Sequence, residues 1–176
     1  MQAAGSDVTS GGAVKDMRRK DREITLLSDL LAVIKEQKVC RLGLCEYNQP
    51  YIVPLNYGCL YEGGILSLFF HSAHEGKKIA IIRSNNRACF EIDCDHALVS
   101  GEKACDYSFA YTSVMGAGII EFITAREEKI LALNRIVKHQ SGKDKTYKIA
   151  DANLNAVTVY KLTVNELTGK RAHIKD

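Results

Sequence analysis

Apolar positions first recur at helical spacing in residues 25–37, where Leu27, Leu31 and Ile34 share a face that Leu30 and Val33 widen, predicting a covering helix. The period then shortens to two. Residues 39–46 and 51–61 are β-rich runs separated by Tyr47-Asn48-Gln49-Pro50, whose Asn and Pro supply turn chemistry and predict a hairpin. Glu62-Gly63-Gly64 makes a second tight turn into a strand over 65–71, so sheet order is local here. A helical pattern returns over 74–83, a strand over 87–93, and a long strand over 108–124 whose Gly116 and Gly118 predict a bulge or sharp bend. Residues 125–140 form a helix opening on Arg126-Glu127-Glu128 and ending before Ser141-Gly142, and 156–164 close as an alternating strand.

Six strands and three helices without strand-helix-strand alternation predict a mainly β fold with flanking helices, a small antiparallel barrel. Residues 1–16 are small, polar and Gly-rich, the composition of a flexible tail, and 17–176 read as a single domain. Composition then removes several function classes. A net charge of +3 on 176 residues supplies no strong field to draw nucleic acid or anionic lipid. No apolar run is long enough to span a membrane and the N-terminus lacks signal-peptide order, so a cytoplasmic protein is expected. Six cysteines without a C-x-x-C pair read as reduced, mostly buried small hydrophobes, the alternative being a structural metal site for which only the Cys40/Cys45 and Cys89/Cys94 intervals come near.

The stretch richest in chemistry is Phe70-His71-Ser72-Ala73-His74-Glu75-Gly76-Lys77-Lys78, where a strand ends and a helix begins. Backbone N–H groups at a helix start are unpaired and partly positive, so the Ser72 hydroxyl with Lys77 and Lys78 complements a phosphate dianion; the plain alternative is a solvated lysine pair. Neither G-x-x-x-x-G-K-[ST] nor a dinucleotide-binding glycine pattern is present, since Gly116-Ala117-Gly118 lacks the third glycine. His71 and His74 stand three apart without an H-E-x-x-H signature, so no metal site is expected, and an imidazole with an ordinary pKa near 6.5 suits proton delivery.

Taken in order, Met17-Arg18-Arg19-Lys20-Asp21-Arg22-Glu23, Arg41-Leu42-Gly43-Leu44, Pro50-Tyr51-Ile52-Val53-Pro54-Leu55-Asn56-Tyr57, the Phe70 to Lys78 segment, Tyr111-Thr112-Ser113-Val114 and Glu128-Lys129 resemble the nitroimidazole-resistance branch of the pyridoxamine 5'-phosphate oxidase-like superfamily. The resemblance implies a six-stranded antiparallel split β-barrel, assembled as a homodimer with FMN at the subunit interface. It implies FMN contacts from Arg41, Val53, Pro54, Leu55, Asn56, Tyr57, His71, Ser72, Ala73, Gly76, Lys77, Lys78 and Ser113, with Val53 to Tyr57 along the isoalloxazine ring and the basic segment on the phosphate. It implies His71 as the catalytic proton donor or orienting group toward a small nitroaromatic substrate. An ordinary edge or bulged strand around Pro54 is the alternative for 53–57. An FMN- or haem-binding protein with another redox substrate, or none, is the alternative function. The chain ends soon after Thr168-Gly169-Lys170, short of the C-terminal substrate-binding extension of true pyridoxamine-phosphate oxidases, so vitamin B6 oxidation is not the expected activity.

Overall fold

A computed structural model describes residues 17–172; the tail assigned to residues 1–16 lies outside them. Seven strands form one antiparallel sheet: β1 (Val39–Glu46), β2 (Gln49–Asn56), β3 (Gly58–Glu62), β4 (Ile65–Ser72), β5 (Arg87–Val99), β6 (Ser108–Ile123) and β7 (Thr158–Ala172). Four helices flank it: α1 (Leu27–Glu36), α2 (Lys77–Ser84), α3 (Arg126–Ser141) and α4 (Asp151–Asn155). Among the described residues no helix is long and apolar enough to cross a membrane.

The sheet order is β2-β1-β5-β6-β7-β4-β3. Seven strands replace the expected six because the apolar run at 51–61 is cut at Tyr57 into β2 and β3, which lie at opposite ends of that order. Only one residue separates them, and successive Cα atoms stand about 3.8 Å apart, so the two ends of the sheet must meet at this corner. The sheet is therefore rolled but unclosed. Tyr57 is fully buried at the corner, its hydroxyl donating to Ile34 O at 2.7 Å and its ring 4.5 Å from that of His139.

Other bonds tie the C-terminal end of α1 and the residue after its cap to the same corner. His139 Nε2 donates to Gln37 O (2.7 Å), while Asn56 Nδ2 and Gln140 Nε2 donate to Lys38 O (3.1 and 3.0 Å). Gln140 Nε2 also reaches Tyr57 O (2.8 Å). A helix end leaves its last carbonyls without intrahelical partners, so the corner and α1 satisfy one another. Since Gln37 O only accepts, His139 holds its proton on Nε2, and Nδ1 accepts the Cys59 thiol at 3.3 Å. Gly58 is required where β3 meets α3: a Cβ there would come within 2.6 Å of Ile136 N.

The main core fills the inside of the roll with Leu30, Ile34, Leu42, Phe70, Phe90, Ile92, Ile120 and Leu162. A second cluster, Phe69, Ala132, Ile136 and Val159, seals α3 onto the outer side of β4 and β7. The β1–β2 turn is shorter than expected: Tyr47 and Asn48 both have positive φ, making a two-residue hairpin turn, and Pro50 lies within β2 opposite Cys45. The bulge expected at Gly116 and Gly118 is present as a register shift between Ala117 and Gly118. The cysteines are less buried than expected: Cys40 is buried, but Cys89 and Cys105 are exposed and the other three half-buried, because the outer face of the sheet carries no helix over Cys89.

Replacing Tyr57 with Phe removes the donor from a buried carbonyl, and urea unfolding should show a loss of about 1–3 kcal/mol. Burial, aided by Lys38, holds the His139 pKa below its usual value despite the Gln37 bond. The unfolded chain therefore takes up this proton first. The ring's contribution to stability is complete above about pH 6.5 and declines as pH falls toward the folded-state value. Urea midpoints at pH 7.5 and 5 should accordingly fall further for the wild type than for His139→Gln.

Candidate cofactor site at the split

Rolling a sheet without closing it leaves two unpaired edges, and the predicted site residues other than Arg41 and Ser113 divide between them. On one side is β2, an end strand whose Pro50 and Pro54 lack the N–H needed for a ladder. Both must turn their nitrogens away from β1, so by alternation Ile52 and Asn56 also present backbone groups to the free edge. Val53 and Leu55 turn inward and pack against the core, whereas Pro54 is exposed. On the other side, β3 pairs with β4 only as far as Phe69, so Phe70, His71 and Ser72 overhang it.

The chain then turns through Ala73 to Gly76 into α2. Gly76 has φ +128° and ψ 163°, a conformation that side-chain-bearing residues scarcely adopt, and space beside it is open. Its carbonyl accepts from Ile79 N (3.0 Å) and Ala80 N (3.1 Å), while the first N–H groups of α2 have no intrahelical acceptor. Lys77 lies with Nζ 4.9 Å from the centre of the Tyr51 ring on β2, so the junction and the free β2 edge are neighbours. Ser72 is buried and donates to Ala73 O at 2.9 Å. Ser72, Ala73, Gly76, Lys77 and Lys78 thus gather at one junction rich in hydrogen-bond donors.

The histidines separate. His74 is braced, with Nε2 donating to Asn155 O at 2.6 Å and Nδ1 accepting from Thr158 Oγ1 at 2.9 Å. His71 is exposed and leaves the sheet on the face opposite Ser72, as strand alternation demands. Other expected residues take different places. Tyr57 is sealed in the corner, so its ring lines no cleft, and the Asn56 amide is committed to Lys38 O and Gln140 Oε1. Ser113 lies on β6 between Asp93 and Lys170, away from the junction within this chain.

Arg41 stands on the outer face of β1, paired with Glu91 (3.2 Å) and Asp93, which in turn holds His96 at 2.6 Å. Burial and the neighbouring Asp93 raise the Glu91 pKa, and Arg41 opposes them. This cluster borders a groove of about 590 Å³ whose floor is apolar: Gly43, Pro50, Ile52, Cys89 and Met115. Sequence reading missed the groove, because it joins residues from four strands that become neighbours only through sheet order.

Residues 28–171 match the pyridoxamine 5'-phosphate oxidase family. The chain belongs to that family. A candidate 5-nitroimidazole antibiotic resistance protein from Bacteroides thetaiotaomicron is 32% identical over 85% of this chain and 86% of its own, with a TM-score of 0.72. The fold is also that of a flavocytochrome from Azotobacter vinelandii (16% identity, 89% and 72% coverage, TM-score 0.73) and of an FAD and haem binding protein from Mycobacterium smegmatis (16% identity, 88% and 76%, TM-score 0.74). No curated protein matches the chain. In this family member the flavin-compatible features are the donor-rich β4–α2 junction, the free backbone of β2 and the open space at Gly76. They suit an anionic tail attached to a flat, hydrogen-bonding ring.

Gly76→Ala forces a side chain into that backbone conformation, and thermal unfolding should register a loss of about 1–3 kcal/mol.

Proposed function

We propose that this protein binds FMN at the split between β2 and β4 and reduces the nitro group of 5-nitroimidazole-type compounds to the amine. The observation carrying this reading is the junction of Ser72, Gly76 and Lys77 beside an unpaired strand edge, in a chain 32% identical to the Bacteroides protein. Ser72, the first N–H groups of α2, Lys77 and Lys78 hold the phosphate. The backbone of Val53 to Asn56 runs along the ring and bonds its polar edge, which tunes its electronics. Bound and reduced, FMN supplies hydride equivalents to the substrate.

His71 donates the proton to the oxygen developing negative charge, a role its exposed imidazole suits. Since His71 and Ser72 leave opposite faces of β4, the pocket is completed in a homodimer, where a second copy covers the exposed sheet face bearing Ile52, Phe109 and Met115. Full reduction to the amine bypasses the toxic radical of one-electron transfer. A second reading, favoured by the fold shared with the Mycobacterium FAD and haem binding protein, is a carrier of flavin or haem without nitroreductase activity.

FMN-loaded protein given a 5-nitroimidazole and a reductant should bleach the nitro absorbance faster than free FMN, and His71→Ala should slow this by about 100-fold while retaining FMN. Flavin binding without turnover would favour the carrier, and a Soret band on haem addition would identify its cargo. Lys77→Ala should weaken FMN by roughly tenfold and riboflavin, which lacks the phosphate, scarcely at all, in a fluorescence titration.

A further inference from the structure

Tyr160 faces Phe70 across the β4–β7 ladder, its ring stacked on Phe70 at 5.4 Å with Phe122 edge-on at 6.2 Å. It is wholly buried. Among the described residues its hydroxyl is the one buried side-chain polar atom lacking a hydrogen-bond partner. Phe would fill the same space without that cost, so the hydroxyl calls for a reason.

The register supplies one. Ser72 is two residues beyond Phe70 on the same inward face of β4, which makes it the diagonal neighbour of Tyr160, within reach of a phenol. The two hydroxyls already stand close: burial raises the Tyr160 pKa, and hydrogen-bonding contact with Ser72 opposes the rise. Yet the contact falls short of hydrogen-bond geometry, and Ser72, itself only 9% exposed, gives its hydrogen to Ala73 O at 2.9 Å. A serine oxygen carries two acceptor lone pairs besides its one hydrogen, so it can donate outward and accept from Tyr160 together.

Resting on the flavin reading above, we propose that Tyr160 is a positioning residue for Ser72. When the phosphate of FMN occupies the β4–α2 junction, Ser72 swings its O–H from Ala73 O onto a phosphate oxygen. Tyr160 O–H then donates to the Ser72 oxygen. Ala73 is exposed, so water satisfies the carbonyl left behind. The orphan of the empty protein becomes the back support of the loaded one, and a chain of two hydrogen bonds ending on a dianion is stronger than either bond alone.

The test compares wild type, Tyr160→Phe, Ser72→Ala and the double variant in flavin-free form, titrated with FMN and separately with riboflavin. Tyr160→Phe should weaken FMN about tenfold, the factor one ordinary hydrogen bond carries, and leave riboflavin unchanged. It should also raise the thermal midpoint of the flavin-free protein, because an unpaired buried hydroxyl is gone. On the Ser72→Ala background the same change should cost no further FMN affinity. Unaltered FMN binding in Tyr160→Phe, equal losses for FMN and riboflavin, additive losses in the double variant, or a less stable flavin-free Tyr160→Phe would each overturn the role of Tyr160 while leaving flavin binding intact. Failure of the wild type to bind FMN would overturn the functional reading as well.

Discussion

The fold depends on holding Tyr57 in place. A sheet ordered β2-β1-β5-β6-β7-β4-β3 has its first and last strands joined by that single residue, so the corner can form only if the sheet rolls through its whole width. The meeting ends are pinned by hydrogen bonds at that corner. There a buried phenol and an imidazole satisfy carbonyls that end α1, and two amides satisfy Lys38 O just beyond it. Hydrogen bonds to buried groups are modest in net worth but expensive to leave unmade, which makes such a corner all-or-nothing.

The same constraint creates the candidate site. Because β2 and β3 meet at one end and β3 is short, the remainder of β2 and the overhanging end of β4 face each other without a ladder between them. An exposed strand edge is normally a hazard for pairing with other chains. Here prolines at 50 and 54 blunt it, and α2 begins beside it with Lys77 over Tyr51. An edge that cannot extend the sheet, next to a helix start rich in donors, is suited to a flat ligand with an anionic tail.

The long strands serve a separate purpose. β5, β6 and β7 run 13, 16 and 15 residues, and both ladders between them shift register, at Cys94/Ala97 and at Ala117/Gly118. Each shift inserts a bend, letting strands too long for a flat sheet curl around one core. They also interrupt the apolar alternation. For that reason β5 continues to Val99 and β7 to Ala172, well beyond the 93 and 164 legible from periodicity, and five-residue α4 shows no helical period at all.

Local periodicity therefore determined the covering helices, the two hairpins, the strand-to-helix junction at Ser72–Lys77 and the antiparallel, mainly β class, because each is written in residues close along the chain. Tertiary structure alone decided that Tyr57 divides one apolar run into opposite ends of a sheet, and that Asn56 braces α3 instead of presenting a free amide. It alone placed Tyr160 behind Ser72. These relations join residues up to about a hundred positions apart, and the alternation of a strand shows which faces exist without showing what each one meets.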